Sequence, residues 1–216
     1  MASWKHILFD LDGTLTDSKP GITKGVQHAL SSFGIRESDP DRLEKYIGPP
    51  LLDSFMKIHG FSEEKAKQAI TTYREYYTTK GILEHEIYKG VPEMLQTLRK
   101  AGKRLYIATS KPTPFAEKML RENNLDTLFM GIFGSYLDGR RTAKEEVIGA
   151  VMEENSLSMN ETVMVGDRSH DVEGAKKNGI QVIGVLYGYG SRKEFTESNA
   201  DLIVENVDEL IRILMM

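Results

Sequence analysis

Two carboxylates at the end of an apolar run are the first residues in this chain that could do chemistry. Asp10 and Asp12 follow Ile7-Leu8-Phe9, and Gly13 comes directly after them. Side chains two positions apart in an extended chain point to the same side, so both carboxylates can face one ligand. Two like charges this close need a nearby cation or a shared proton, which would suit a metal site or a general acid and base. The alternative is a strand that ends in a plain Asp-Gly turn.

A second acidic pair follows another apolar run. Asp167 comes directly after Thr162–Gly166, and Asp171 lies four residues further on, where we predict the first turn of a helix. An acid in a first turn is also ordinary helix-start chemistry, because it interacts favourably with the helix dipole. If the two runs are neighbouring strands, Asp10, Asp12 and Asp167 meet in one crevice. Three carboxylates in one place suit an oxygen-liganded Mg²⁺ ion.

Residues that could hold an anion follow a third apolar run. Thr109, Ser110 and Lys111 come just before a predicted helix start, where hydroxyls and free backbone amides bind anionic oxygens well. A solvated loop between strand and helix is the alternative. Lys144 opens another predicted helix, where a cation opposes the helix dipole. An acidic cluster or a bound phosphate would explain that position, whereas most lysines are simply solvated at the surface.

Short apolar runs alternate with helix-like segments along most of the chain. The runs are rich in Ile, Val, Leu and Phe and mostly lack strict alternation, which indicates strands buried on both faces of a parallel sheet. Helices are predicted between them, for example over Val91–Ala101 and Asp171–Asn178. The fold class that we predict is a doubly wound, parallel, Rossmann-like α/β sheet. The predicted strands are His6–Asp10, Arg104–Thr109, Gly131–Gly134, Thr162–Gly166, Gln181–Leu186 and Asp201–Val204.

The segment between the first and second predicted strands is too long for a single crossover. It shows helical patterns of apolar residues, interrupted in the middle by Gly48-Pro49-Pro50. We therefore predict an all-helical insert over residues 18–86 and a core formed by residues 1–17 and 87–216. The Gly-Pro-Pro turn would either face the substrate or simply connect two helices.

Composition and charge narrow the classes of function. The 216 residues are 40% hydrophobic and include 28 Lys or Arg against 32 Asp or Glu, which gives a net charge of −4. No basic excess argues for a nucleic-acid polymer or an anionic membrane as partner. The absence of cysteine excludes disulfides, thiolate zinc sites and cysteine nucleophiles. Because the first residues resemble neither a signal peptide nor a membrane anchor, we expect a cytoplasmic protein. We expect it to be a monomer or a homodimer.

In this order, and each at the end of a strand, these residues resemble the haloacid dehalogenase superfamily of phosphotransferases. Its first motif is matched in full by Asp10-Leu11-Asp12-Gly13-Thr14, its second by Thr109, its third by Lys144, and its fourth by Gly166-Asp167 with Asp171. The resemblance covers essentially the whole chain, and the insert has the position of this family's helical cap. It implies a Mg²⁺-dependent phosphatase that acts on a small phosphate ester.

The resemblance also implies a role for each matching residue. Asp10 is the expected nucleophile, which would form an aspartyl-phosphate, and Asp12 is the expected general acid and base. Thr109 and Lys144 complete the catalytic set by holding the phosphoryl oxygens. The expected metal ligands are Asp10, Asp12, Asp167 and Asp171, with Asp12 contributing its backbone carbonyl. The further residues expected to bind substrate are Gly13, Thr14, Ser110 and Lys111.

Within the superfamily, the chain is similar to the phosphoglycolate phosphatase branch, and there to bacterial proteins called 5′-nucleotidases. It departs from the Lys-Pro-x-Pro pattern of phosphoglycolate phosphatases at Thr142-Ala143-Lys144-Glu145. The implied substrate is a small metabolite such as a nucleoside 5′-monophosphate, with phosphoglycolate hydrolysis or a sugar phosphomutase reaction as alternatives. A non-enzymatic nucleotide-binding module is unsupported, because the chain has neither a Walker A nor a G-x-G-x-x-G pattern. Arg140, Arg168 and His170 would be either substrate contacts or salt-bridge partners.

Overall fold

The chain folds into two compact units. A computed structural model describes residues 4–216. The first unit consists of the residues up to Thr16 together with Ile87–Met216, and the second unit consists of Asp17–Glu86. Among the described residues, no helix combines the length and the hydropathy that are needed to cross a membrane.

Six strands of the first unit form one parallel sheet. The strands of the chain are β1 (His6–Phe9), β2 (Thr16–Asp17), β3 (Glu86–Ile87), β4 (Arg104–Pro112), β5 (Gly131–Ser135), β6 (Thr162–Gly166), β7 (Gln181–Val185) and β8 (Leu202–Val204). The sheet has the order β5-β4-β1-β6-β7-β8, and every pair in it is parallel. The short strands β2 and β3 pair with each other where the chain passes between the units. The predicted parallel α/β fold class is confirmed.

Helices separate the strands of the sheet and make up most of the second unit. The α-helices are α1 (Lys19–Ser31), α2 (Leu51–His59), α3 (Glu63–Tyr77), α4 (Val91–Lys100), α5 (Thr113–Glu122), α6 (Lys144–Glu154), α7 (Ser169–Lys177), α8 (Arg192–Glu197) and α9 (Val207–Leu214). Short 3-10 helices occur at Asp41–Tyr46, Gly81–Leu83, Asp126–Leu128 and Met159–Glu161.

Both faces of the central strands are buried. Leu8 of β1 is in register with Tyr106 of β4 and with Met164 of β6. These three side chains share one face and pack against α6 residues such as Val147. The alternate residues of β1 point to the opposite face and are fully buried as well. Burial on both sides explains why the strands read as continuous apolar runs.

The strand order reverses at β1, which places the polar strand ends at one edge. From β1 the chain first builds β4 and β5 on one side of the sheet and later β6, β7 and β8 on the other. In open α/β sheets, ligands bind outside the carboxyl ends of the strands at such a switch point. The residues that follow β1, β4 and β6 therefore lie where a ligand site is expected.

Several element boundaries close to this edge differ from the sequence prediction, and the two largest differences are those of β4 and α7. Strand β4 continues to Pro112 instead of ending at Thr109, because Pro112 still pairs with Ser135 of β5. Helix α7 begins at Ser169, two residues before the predicted start at Asp171. The carboxylate of Asp171 accepts the backbone N–H of Arg168 at 3.1 Å, so it caps the helix from within the first turn.

The second unit has an aromatic core of its own. Phe55 and Phe61 stack with their ring centroids 6.0 Å apart, and Tyr73 and Tyr77 of α3 stack at 5.1 Å. The Gly48-Pro49-Pro50 turn connects a 3-10 helix to α2, and Gly48 has a φ of 100°, which favours glycine.

Candidate active site

The carboxyl ends of β1 and β6 bring two of the acidic residues side by side. Phe9 is in register with Val165, and the backbone N–H of Asp10 donates to the Val165 carbonyl at 2.9 Å. Asp10 and Asp167 are therefore the first residues beyond two neighbouring, hydrogen-bonded strands. Both are buried, with 3% and 0% of their surface exposed.

Lys144 connects the nucleophile candidate to the fourth-motif helix. Its ammonium nitrogen lies 2.8 Å from Oδ1 of Asp10 and 2.8 Å from Oδ1 of Asp171, and it donates to the Ala108 carbonyl at 3.0 Å. Burial alone would lower the pKa of Lys144, but the two carboxylates outweigh that cost and raise its pKa above the usual value. Lys144 is thus a buried, fully charged cation at the start of α6, where an acidic cluster compensates the unfavourable helix dipole.

Three buried carboxylates form a cluster that fits a divalent cation. Oxygens of Asp10, Asp167 and Asp171 all lie within 4.8 Å of one another. Burial and the neighbouring carboxylates of Asp171 and Asp10 raise the pKa of Asp167 well above its ordinary range. When all three are ionised, the ammonium of Lys144 compensates one of three negative charges and leaves two. Hard oxygen donors with two uncompensated charges suit Mg²⁺, so the residues present fit the ion that the sequence implies.

Asp12 is not part of this cluster of three. Its Oδ2 pairs with the ammonium of Lys111 at 2.9 Å, and both side chains are almost fully buried. Among residues 4–216, no hydrogen-bond donor reaches its other oxygen, Oδ1, although that atom is inaccessible to water. A buried acceptor of this kind is costly unless something binds it. The carboxylate of Asp12 is therefore available for proton transfer, and the Lys111 ammonium lies beside it.

The other predicted contacts surround these acids. Thr109 is buried, and its hydroxyl accepts the backbone N–H of Lys111 at 3.3 Å. The carbonyl of Ser110 accepts the hydroxyl of Ser135 at 2.8 Å, which ties β4 to β5 beside the site. The hydroxyl of Thr14 donates to Oδ1 of Asp167 at 3.4 Å.

Gly13 allows the turn after β1 to pass close to Asp167. Its φ is 85°, and a Cβ atom placed on it would lie 2.1 Å from Oδ2 of Asp167. Any side chain at this position would displace the carboxylate, so the glycine of the first motif has a steric reason.

Residues after β7 also reach the site, and sequence reasoning missed them. The backbone N–H of Tyr189 donates to Oδ2 of Asp167 at 2.9 Å, and the hydroxyl of Tyr187 donates to the Thr14 carbonyl at 3.1 Å. A Cβ atom on Gly190 would lie 1.9 Å from the Asp167 carbonyl oxygen. The signal was the Gly188-Tyr189-Gly190 stretch after a strand, which indicates close backbone approach even though it is no nucleotide-binding motif.

The three charged residues that were expected to be either substrate contacts or salt-bridge partners lie in different surroundings. Arg140 is exposed and pairs with Asp138 at 2.8 Å. Arg168 pairs with Glu194 at 3.1 Å. His170 is half-buried, and burial lowers its pKa, which favours the neutral ring. The two arginines thus have salt-bridge partners in the first unit.

Comparisons with known proteins identify the family of this chain. The family model described as haloacid dehalogenase-like hydrolase matches residues 7–185. A 5′-nucleotidase of Pseudomonas aeruginosa is 48% identical over 191 residues, which cover 88% of this chain and 86% of that protein. The tyrosine-protein kinase PtkA of Mycobacterium tuberculosis is 37% identical over 207 residues, which cover 94% of this chain and 70% of that protein. The crystal structure of a predicted phosphatase from Clostridium acetobutylicum superposes with a TM-score of 0.97 at 44% identity, and the match covers 98% of each chain.

The range matched by the family model, residues 7–185, extends from β1 to β7. The predicted family and fold class are confirmed, and the relatives support the prediction of a phosphatase. The chain belongs to the haloacid dehalogenase-like hydrolase family.

Proposed function

We propose that this chain is a Mg²⁺-dependent phosphomonoester hydrolase that acts through an aspartyl-phosphate on Asp10. The observation that carries the proposal is the buried arrangement in which Lys144 contacts both Asp10 and Asp171, next to Asp167. A carboxylate that contacts a buried ammonium group at the carboxyl end of a central strand is equipped to attack phosphorus. The family match and the phosphatase among the structural neighbours support it.

In the first step, a carboxylate oxygen of Asp10 attacks the phosphorus atom and the bond to the ester oxygen breaks. Asp12, in its protonated form, gives its proton to the departing oxygen, so an alcohol leaves. Lys144 stays beside Asp10 and stabilises the negative charge of the transferring group. A bound Mg²⁺, held by Asp10, Asp167, Asp171 and the backbone carbonyl of Asp12, would supply further charge neutralisation.

In the second step, water attacks the phosphorus of the aspartyl-phosphate. Asp12, now ionised, accepts a proton from that water, the phosphorus–oxygen bond to Asp10 breaks, and inorganic phosphate leaves. The sum is ester plus water giving alcohol plus phosphate, with Asp10 and Asp12 restored. Splitting the reaction in two lets one carboxylate serve as acid and then as base.

Thr109, Ser110 and Lys111 are proposed to bind the phosphoryl oxygens, together with Thr14 and the backbone at Gly13. Lys111 is already buried beside Asp12, so an incoming phosphate would meet a cation next to the acid that acts on it. Phosphoryl transfer needs positioning and charge stabilisation more than covalent chemistry, and these side chains offer both.

For the substrate, we propose a small phosphorylated metabolite such as a nucleoside 5′-monophosphate. We also propose that residues 1–17 and 87–216 form the catalytic core and that residues 18–86 form a helical cap domain. The relative named 5′-nucleotidase, 48% identical, supports this class of substrate. Phosphoglycolate is the alternative ester. A sugar phosphomutase reaction is a second alternative, in which the phosphoryl group returns to the substrate. The relative named tyrosine-protein kinase suggests a third, in which a hydroxyl group accepts the phosphoryl group instead of water.

A screen of phosphate esters tests the proposal. Purified protein is incubated with Mg²⁺ and nucleoside monophosphates, phosphoglycolate, sugar phosphates or p-nitrophenyl phosphate, and released inorganic phosphate is measured. We expect Mg²⁺-dependent release that disappears in Asp10→Asn while the fold remains. Comparable turnover by that variant, or transfer to a hydroxyl without free phosphate, would contradict the proposal.

We propose that the protein acts on small molecules in the cytoplasm and that it is a monomer or a homodimer. Its net charge of −4 supports neither a nucleic-acid polymer nor an anionic membrane as partner. Gel filtration with light scattering decides between one chain and two.

A further inference from the structure

A half-buried acid outside the four motifs contacts the loop that carries two of the proposed metal ligands. Glu194 lies in the first turn of α8. Its Oε1 accepts the backbone N–H of Ser169 at 2.7 Å and the Nε–H of Arg168 at 3.1 Å. Arg168 and Ser169 follow Asp167 directly, and only His170 separates Ser169 from Asp171. One carboxylate oxygen therefore holds the middle of the segment that runs between the two acids.

The same segment is also tied to Asp171 from within. The backbone N–H of Arg168 donates to Oδ2 of Asp171 at 3.1 Å, which leaves Oδ1 to face Lys144. The side chain and the backbone of Arg168 thus connect Glu194 to Asp171 through one residue. If the contacts of Glu194 were lost, the backbone that fixes the Asp171 carboxylate would lose its support from α8.

Glu194 is itself held in place by its own helix. The neighbouring Phe195 is fully buried in the core beneath the sheet. The Ser191 side chain caps α8 by accepting the backbone N–H of Glu194 at 3.1 Å. Burial would raise the pKa of Glu194, but the Ser169 amide and the Arg168 guanidinium outweigh it and lower the pKa, so the carboxylate is ionised at neutral pH.

We propose that Glu194 is a positioning residue for the metal site: through Arg168 and Ser169 it fixes the segment from Asp167 to Asp171 in the geometry that binds Mg²⁺. This inference rests on the proposed function, because it assumes that these acids bind the ion. Groups that orient metal ligands without touching the metal commonly contribute about 10- to 100-fold to metal affinity. Glu194 contacts the segment between the two proposed metal ligands and neither ligand side chain. We therefore expect its contribution to Mg²⁺ affinity to lie at the lower end of this range.

The chain offers a closely matched control in Asp201. It accepts a backbone N–H, from Val182 at 2.9 Å, and pairs with a cation, Lys176 at 2.6 Å. Its side chain is 29% exposed, against 22% for Glu194. Val182 lies near the amino end of β7, at the sheet edge opposite to the proposed metal site. Asp201→Ala therefore removes the same two kinds of contact without touching the segment from Asp167 to Asp171.

The test is calorimetric titration of the metal-free full-length protein with Mg²⁺, together with the Mg²⁺-induced rise in melting temperature. We expect Glu194→Ala to weaken Mg²⁺ binding about tenfold and to reduce the rise in melting temperature. Glu194→Gln keeps an oxygen acceptor and should recover part of the affinity. Asp201→Ala should bind Mg²⁺ as the wild type does. In steady-state assays, Glu194→Ala should raise the half-saturating Mg²⁺ concentration and leave kcat at saturating Mg²⁺ close to the wild-type value.

Three outcomes would overturn the inference. Wild-type affinity in both Glu194 variants would show that the contacts do not position the ligands. Equal weakening in Glu194→Ala and Asp201→Ala would show a general loss of stability instead. No Mg²⁺ binding by the wild type would overturn the proposed function itself, and this inference with it, so the two failures are distinguishable.

Discussion

At the scale of the residue, Lys144 stabilises the cluster of buried acids in the folded protein. Its ammonium is the cation 2.8 Å from both Asp10 and Asp171, and all three groups are buried. Removing one partner of a buried ion pair leaves an uncompensated charge, which typically costs about 3–5 kcal/mol. The proposed catalytic role and the structural role of this lysine therefore coincide.

The variant Lys144→Met tests that coincidence. We expect it to lose about 3–5 kcal/mol of unfolding free energy in metal-free buffer at neutral pH, and Mg²⁺ should restore part of the loss by neutralising the same carboxylates. Urea unfolding with and without Mg²⁺ measures both effects. Lys5→Met, which removes an exposed pair with Glu161, is the control and should change stability little. A Lys144→Met protein as stable as that control would contradict the account.

Asp12 is expected to matter most where the leaving group needs a proton. For Asp12→Asn we predict a loss in kcat/KM of about 10²- to 10⁴-fold with an alkyl phosphate, because an alkoxide is a poor leaving group. With p-nitrophenyl phosphate the loss in kcat/KM should be much smaller, since nitrophenolate leaves without protonation. Parallel kinetics on the two esters check this, and equal losses would argue against an acid role for Asp12.

The candidate acids could be predicted from the sequence, because carboxylates follow two separate apolar runs that were expected to be neighbouring strands. Their partners could not. Nothing in the sequence pairs Lys111 with Asp12, since that contact depends on how far β4 extends beside β1. Glu194 stood in an ordinary helix start 27 positions after Asp167 in the chain, and α8 brings it to the site through tertiary packing alone.

At the scale of the elements, the carboxyl ends of β1 and β6 and the start of α7 hold like charges together, and this makes stability depend on pH. Burial raises the pKa of Asp171 to about 6, with the Lys144 ammonium opposing the shift and the Asp10 carboxylate adding to it. In the unfolded chain the pKa of this group is near 3.8. The folded state therefore binds the proton more tightly, and stability falls as pH rises through this interval.

The stability of the wild type should therefore depend on pH in metal-free buffer. In EDTA, the unfolding free energy of the wild type relative to Asp171→Asn should fall between about pH 4 and pH 6, by on the order of 3 kcal/mol for a shift of about two units. Mg²⁺ competes with the proton for the carboxylate, so stabilisation by Mg²⁺ should grow over the same interval. Urea unfolding at several pH values measures both trends. A wild-type advantage that rises with pH in EDTA would contradict the assignment.

All six strands of the sheet could be predicted because each is a short apolar run, and the central ones are buried on both faces. The ends were less predictable. Strand β4 runs three residues past Thr109, since its pairing with β5 continues at Pro112 and Ser135. The start of α7 moved to Ser169 because a side chain in its first turn, Asp171, accepts the amide that precedes the helix. The first shift depends on a strand partner that is distant in the sequence, and the second depends on a single local side-chain contact.

At the scale of the whole molecule, all of the acids assigned to the metal lie in the first unit. The chain leaves that unit after Thr16 and returns at Ile87. The backbone N–H of Tyr88 donates to the Leu15 carbonyl at 3.1 Å, so the points of departure and return are adjacent within the unit. The second unit is therefore an insertion whose ends meet, which is the arrangement that tolerates excision.

A chain in which a short Gly-Ser linker replaces residues 17–86 tests this division of labour. We expect the first unit to fold and to bind Mg²⁺ with less than about a tenfold change in affinity, or about 1.4 kcal/mol. Circular dichroism and calorimetric titration check these two expectations, with the same chain carrying Asp167→Asn as the non-binding control. A folded first unit that cannot bind Mg²⁺ would show that residues 17–86 contribute to the metal site.

The parallel α/β class and the family could be predicted, because each motif follows a predicted strand and the motifs occur in the order that this family has. The substrate could not be predicted in the same way, because the sequence patterns that specify strands and charged clusters carry no information about which alcohol leaves. Phosphate chemistry is common to all the candidate esters.

The most direct test of the central claim is to look for the phosphoryl group on Asp10. Asp12→Asn lacks the base of the second step, so with Mg²⁺ and p-nitrophenyl phosphate the aspartyl-phosphate should accumulate. After acid quenching, mass spectrometry should find one phosphoryl group on the peptide that contains Asp10, and none when Asp10→Asn is added. A burst of p-nitrophenolate with the phosphoryl group on another residue, or with no phosphoryl group on the protein, would contradict the account.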